Sequence, residues 1–189
     1  MMELRDIPIQ MRHFALHAMG KSLVESIFSE FTNPYAHAIG VVHCAQGAEL
    51  ILKARIAFEH PLLIFEKLPK PSVDDQPITA SSLFDNARTV SYSSLPDLLW
   101  AATGVRVPDR ITYDSFGRLR NSIVHLGTPP ENLSEKTLNF AFRVIEPLIG
   151  EFWSESITEY MTQYDPDCMN YLIEQLEELE IPHSYPRDA

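Results

Sequence analysis

Arg120-Asn121-Ser122-Ile123-Val124-His125 places an arginine, an asparagine and a histidine in one short segment, and these residue types suit metal-free cleavage of a phosphodiester. Histidine passes protons near neutral pH, while arginine keeps its charge and fits a phosphate or a developing pentavalent phosphorane. Asparagine adds a neutral hydrogen-bonding arm. On a helix each residue turns by about 100°, so Asn121 and His125 lie one turn apart on nearly the same face, whereas Arg120 diverges from His125 by roughly 140°. Only the long arginine arm or a nearby helix end lets both reach one phosphate. Gly127 and Pro129-Pro130 supply that end, because glycine suits the position after a helix and prolines follow stopped helices. His125 is then expected in the last turn, at the negative end of the helix dipole.

The elements that must position this segment are read from apolar spacing and punctuation. Residues from about Ile9 to Phe31 repeat at helical spacing until Asn33-Pro34 breaks the pattern, which predicts a first helix. Ala36 to His60 is a second, more apolar helix that Pro61 ends or kinks, and it is expected to be central. Pro69 to Pro77 has three prolines and no periodicity, so it is a surface loop, with a short helix able to follow it. Ser94-Leu95-Pro96-Asp97 predicts an N-cap with proline in the first turn of a helix that Gly104 ends. The segment of interest then lies on a helix over 109–126.

Further on, Asn132-Leu133-Ser134-Glu135 resembles a capping box ahead of a long amphipathic helix that Pro147 should kink. Asp165-Pro166 opens a last helix through about Leu179. With no internal repeat and no convincing strand, the expected class is all-α, a bundle with short connections.

Composition narrows the function. The chain has 189 residues, 45% of them hydrophobic, enough for one domain with a sizeable core. No apolar run reaches the roughly 18 residues of a membrane span, and Met-Met-Glu-Leu-Arg-Asp lacks the pattern of a signal peptide, so a cytoplasmic protein with no membrane partner is expected. Cys44 and Cys168 form no CxxC pair, which argues against a disulfide framework or structural zinc. Net charge is −11, and residues 131–189 hold 3 Lys/Arg against 13 Asp/Glu. That segment repels phosphate backbones, which argues against high-affinity nonspecific nucleic-acid binding by the monomer and leaves room for a locally positive site in the first two thirds; the acidic surface suits a basic partner.

Arg120-Asn121-x-x-x-His125 resembles the arginine, spacer, histidine signature of HEPN domains, in which a polar residue, often asparagine, follows the arginine. Glu49-Leu50-Ile51-Leu52-Lys53 resembles the upstream acidic-and-lysine feature of several HEPN families. The resemblance covers a core of about residues 9–160 and implies one HEPN-like domain over 1–189: an up-and-down helical bundle with extra short helices, the Pro-rich loop, and an acidic helical extension over about 161–189. It implies a homodimer with both motifs facing one cleft. It also implies a metal-independent endoribonuclease of a toxin or antiphage system, needing no cofactor, with RNA as substrate and an antitoxin or regulatory protein as a further partner.

In that chemistry the RNA 2′-hydroxyl attacks the adjacent phosphorus. His125 serves as acid and base, Arg120 neutralises the phosphorane, Asn121 positions phosphate or imidazole, Glu49 orients Arg120 or His125, and Lys53 binds substrate. DNA lacks the nucleophile. The sequence departs from the family pattern at Gly127, where toxins modified by a nucleotidyltransferase partner carry a tyrosine. Tyr113 leaves a different arrangement open.

The same residues have plainer readings. Glu49 and Lys53 also form an ordinary i,i+4 ion pair, and Arg120 with His125 a surface arginine and a capping histidine. A noncatalytic HEPN-type module binding a nucleotide, RNA or protein is the alternative function. His13 and His17, one turn apart, lack a third metal ligand. His37, His43 and Cys44 have no ligand spacing, and Cys44 reads as core. Trp100 and Trp153 read as core or interface aromatics.

Overall fold

The apolar periodicity of the first third forms two long helices, α1 over Ile7–Ile27 and α2 over Ala36–Glu59. The computed structural model describes residues 3–28, 33, 35–68, 78–127, 131–183 and 185, with backbone alone at 84 and 86. Expectations placed on residues 29–32, Pro34, Pro69 to Pro77 and Pro129-Pro130 lie outside the described residues. The chain divides into two compact units, Met1–Phe14 with Glu49–Arg106, and Ala15–Ala48 with Val107–Ala189. The described chain is mostly helical, as an all-α class requires.

In the first unit, α2 contributes the fully buried Ile51, Leu52 and Ile56, joined in the apolar interior by Ile64, Leu95 and Leu99. Pro61 ends α2 as expected and begins a short 3-10 turn over Pro61–Ile64, with the His60 side chain accepting the Leu62 N–H. A short two-stranded antiparallel ladder follows, contrary to the expectation of no strand: β1 at Phe65–Lys67 pairs with β2 at Arg88–Thr89, with Phe65 opposite Thr89. Between them lies α3, Ala80–Asn86, opened by a reciprocal capping box of Thr79 and Ser82. Next comes α4, Leu95–Thr103, with Pro96 in its first turn and Gly104 at φ 79° closing it onto the Trp100 carbonyl. Ser94 makes no side-chain cap, because it already belongs to a 3-10 turn over Tyr92–Ser94 and has helical dihedrals.

In the second unit, Gly40 and Gly47 let α2 approach α1 closely. A Cβ at Gly47 would stand 2.7 Å from the Met19 sulfur and 3.1 Å from the Ala15 carbonyl oxygen, and one at Gly40 would stand 2.9 Å from the Ser26 hydroxyl oxygen. The buried hydroxyls of Ser22 and Ser26 donate to carbonyls of their own helix, at 2.8 Å each, so this tight seam holds polar atoms without stranding them.

The rest of this unit is α5 (Arg110–Leu126), α6 (Leu133–Phe140), α7 (Glu146–Trp153), α8 (Ile157–Tyr164) and α9 (Met169–Glu178). The distortion expected from Pro147 takes the form of a π-helical segment, Ala141–Ile145, just ahead of it. Proline offers no N–H and its ring crowds the preceding turn, and a widened turn makes room. The capping box expected at Asn132–Glu135 does not form: Asn132 is left-handed, at φ 59°, and gives no side-chain cap. A reciprocal box instead joins Ser156 and Glu159 and opens α8, a helix the apolar pattern did not single out.

Candidate functional site on helix α5

Helix α5 starts firmly. The Asp109 carboxylate accepts the Thr112 hydroxyl at 2.6 Å and the Thr112 N–H at 2.9 Å. Those bonds, the hydroxyl's first, hold its pKa below the ordinary carboxylate value. One turn on, Arg110 Nε donates to both Asp114 oxygens at 3.0 Å.

The first half is also the buried half. Tyr113, Phe116 and Gly117 are the buried residues of the helix. The Phe116 ring stacks on Phe140 of α6 at 3.9 Å with the planes 4° apart, and Tyr113 tilts against the same ring at 6.1 Å. Tyr113, fully buried, is thus part of the core, which removes it as an accessible modification target.

From Arg118 to Leu126 no residue is buried. Arg120 Nη1 donates to the Asn121 side-chain oxygen at 2.9 Å, so two of the three motif residues are brought together. His125 is exposed in the last turn, and among the described residues its imidazole makes no hydrogen bond or ion pair. Gly127, at φ 64°, closes the helix onto the Ile123 carbonyl, as its position after the motif led us to expect. Val124 and Leu126 are 49% and 73% exposed.

Glu49 and Lys53 belong to the first unit. The Lys53 ammonium donates to Glu49 Oε1 at 2.6 Å and to the Thr89 hydroxyl at 3.0 Å, with the lysine side chain only 5% exposed. This is an internal tie between α2 and β2, a structural employment for the pair that needs no ligand. Thr89 had no local signal in the sequence, since it stands 36 residues from Lys53.

Comparison with known proteins gave no match. No family model, curated protein or solved structure matches the chain.

Several of the remaining candidates are held by their own neighbours. His17 Nδ1 lies 3.2 Å from the Tyr160 hydroxyl, and His43 Nδ1 lies 2.7 Å from Glu25 Oε2. Burial pushes the Cys44 thiol up to about 12, outweighing a smaller lowering effect of the neighbouring Ser22 side chain, so it behaves as core rather than as a nucleophile. Trp100 is half exposed, with the Arg106 guanidinium 4.9 Å from its ring centroid. Among the described residues no helix is long and apolar enough to cross a membrane.

Proposed function

We propose that the chain is a metal-independent endoribonuclease of HEPN type, a toxin or antiphage effector working as a homodimer. The observation that carries this reading is the asymmetry of α5: the first half is capped and packed on Phe140, whereas no residue from Arg118 to Leu126 is buried, and there Arg120 is hydrogen-bonded to Asn121 with His125 exposed in the last turn. A reaction on a polymer needs functional groups that are accessible yet fixed in position.

In this reading the 2′-hydroxyl loses its proton to one imidazole and forms a new P–O bond. The 5′-oxygen leaves with a proton from a second imidazole, and the products are a 2′,3′-cyclic phosphate and a 5′-hydroxyl. Arg120 counters the charge of the phosphorane, while Asn121 holds the guanidinium in place. Two copies of His125 require two copies of the chain, and the exposed Val124 and Leu126 flank His125 where a second copy would bear. Glu49 and Lys53 serve the fold.

A noncatalytic RNA- or nucleotide-binding module is the second reading. It is favoured by the imidazole of His125, for which the described residues provide no orienting partner. RNA cleavage in excess EDTA by the wild type, Arg120→Ala and His125→Ala separates the two. Cleavage leaving cyclic phosphate ends, reduced about 10²–10⁴-fold in either variant, is the expected result. Undiminished cleavage in both variants, or RNA binding without cleavage, removes the nuclease reading.

A further inference from the structure

The first unit contains a cavity that the chemistry of α5 does not use. Its volume is about 530 Å³, within the range of small-molecule sites. Met11 and Phe14, one turn apart on α1, form one wall, and Ala80 and Ala87, at the two ends of α3, form another. The alanines leave the space, and the flexible Met11 and planar Phe14 can close around an apolar body. Phe14 is 57% exposed although it borders this concavity.

The ladder supplies the polar end, and there its side chains carry donors. Arg88 and Thr89 both line the cavity. Among the described residues Arg88 makes one polar side-chain contact, Nε to Glu66 Oε2 at 3.3 Å, and its side chain is 78% exposed, so its guanidinium has N–H groups to offer a ligand. Thr89 accepts a proton of the Lys53 ammonium at 3.0 Å. A hydroxyl that accepts from a cation is polarised and becomes a better donor through its own proton. A cation at the rim and a polarised hydroxyl beside it select an anionic head, while the apolar walls select a hydrocarbon or aromatic body.

We propose that this cavity binds a small amphipathic carboxylate, its apolar body between Phe14 and the α3 alanines and its carboxylate on Arg88 and Thr89. The site lies wholly within the first unit, and the inference stands or falls independently of the nuclease reading.

Dodecanoate below its micellar concentration and dodecanol below its solubility limit test it on the full chain by calorimetry and by methyl NMR of Met11, Ala80 and Ala87. Dodecanoate is expected to bind once per chain, to shift those three methyls, and to bind at least tenfold more tightly than dodecanol. Arg88→Gln, at an exposed position, should weaken dodecanoate about tenfold and leave dodecanol unchanged. Ala87→Trp should abolish both by filling the space. Equal affinity for the acid and the alcohol, insensitivity to Arg88→Gln, or shifts confined to other methyls would overturn the assignment. So would methyl shifts that follow protein concentration while dodecanoate moves nothing, since the cavity would then seat a second copy.

Discussion

Lys53 and Arg120 are both cations on long helices, each within reach of a polar partner on its own helix, yet the structure gives them opposite surroundings. Lys53 is nearly buried, with Glu49 and Thr89 on its ammonium. Arg120 shares one bond with the exposed Asn121, on a stretch of α5 where nothing is buried. Burial decides what a charged group can do. A cation removed from water must have its protons satisfied internally, and once they are it holds the fold together; one left at the surface keeps donors for a ligand.

The sharpest way to break that contrast is to strand the buried pair. Lys53→Met should lower stability by about 2–3 kcal/mol, somewhat less than the roughly 3–5 kcal/mol of a fully buried broken ion pair, because Glu49 keeps 26% of its side-chain exposure and can partly rehydrate. The urea midpoint should fall with the slope unchanged. Adding Glu49→Gln should recover much of the loss, since the cost lies mostly in the abandoned carboxylate. A single variant as stable as wild type would mean that the pair does not tie α2 to β2.

A smaller effect is expected at the start of α5. Asp109→Ala removes the cap and should destabilise the protein by about 1 kcal/mol. Because the folded carboxylate has a lowered pKa, its charged contribution is present above the unfolded value, near 4, and is lost as pH falls through the folded value. The gap between wild type and variant in thermal melts should therefore be constant near neutrality and shrink in acid. A gap that widens in acid would point to a different partner for this carboxylate.

Much of this architecture could be read from the chain, and the failures share a cause. Ala36–Glu59 and Arg110–Leu126 emerge almost as expected because a long helix-forming run stopped by Pro61 in one case and by Gly127 in the other reports local energetics. Ser94 and Asn132 looked like caps, but a cap depends on the dihedrals of its own residue, and both occupy other conformations. The Ser156–Glu159 box, which does form, opens a helix of eight residues, about two turns, too few for an apolar period to stand out. The two-residue strand Arg88–Thr89 carries no period to detect, so neither the ladder nor Thr89's contact with Lys53 was visible. The motif residues were legible as types. That the first half of α5 would be stacked on Phe140 and the second left open was not, because it depends on which elements pack against the helix.

The smallest expected effect on stability is the most informative about the site. Arg120→Ala and His125→Ala should each change the unfolding free energy by less than about 0.5 kcal/mol, the range for surface substitutions that touch no cap, core contact or buried charge. The imidazole makes no hydrogen bond among the described residues, and the guanidinium loses one exposed bond to Asn121. The contacts that anchor α5 involve Tyr113 and Phe116, about a turn or more before Arg120, so they should survive either change. Circular dichroism and chemical denaturation would measure this on the same preparations used for RNA cleavage. A variant that loses cleavage at full stability has lost chemistry or substrate contact, since its fold is accounted for. If instead either substitution lowered stability by 2 kcal/mol or more, the second half of α5 would have to be covered in solution, and the open face on which the nuclease reading rests would not exist.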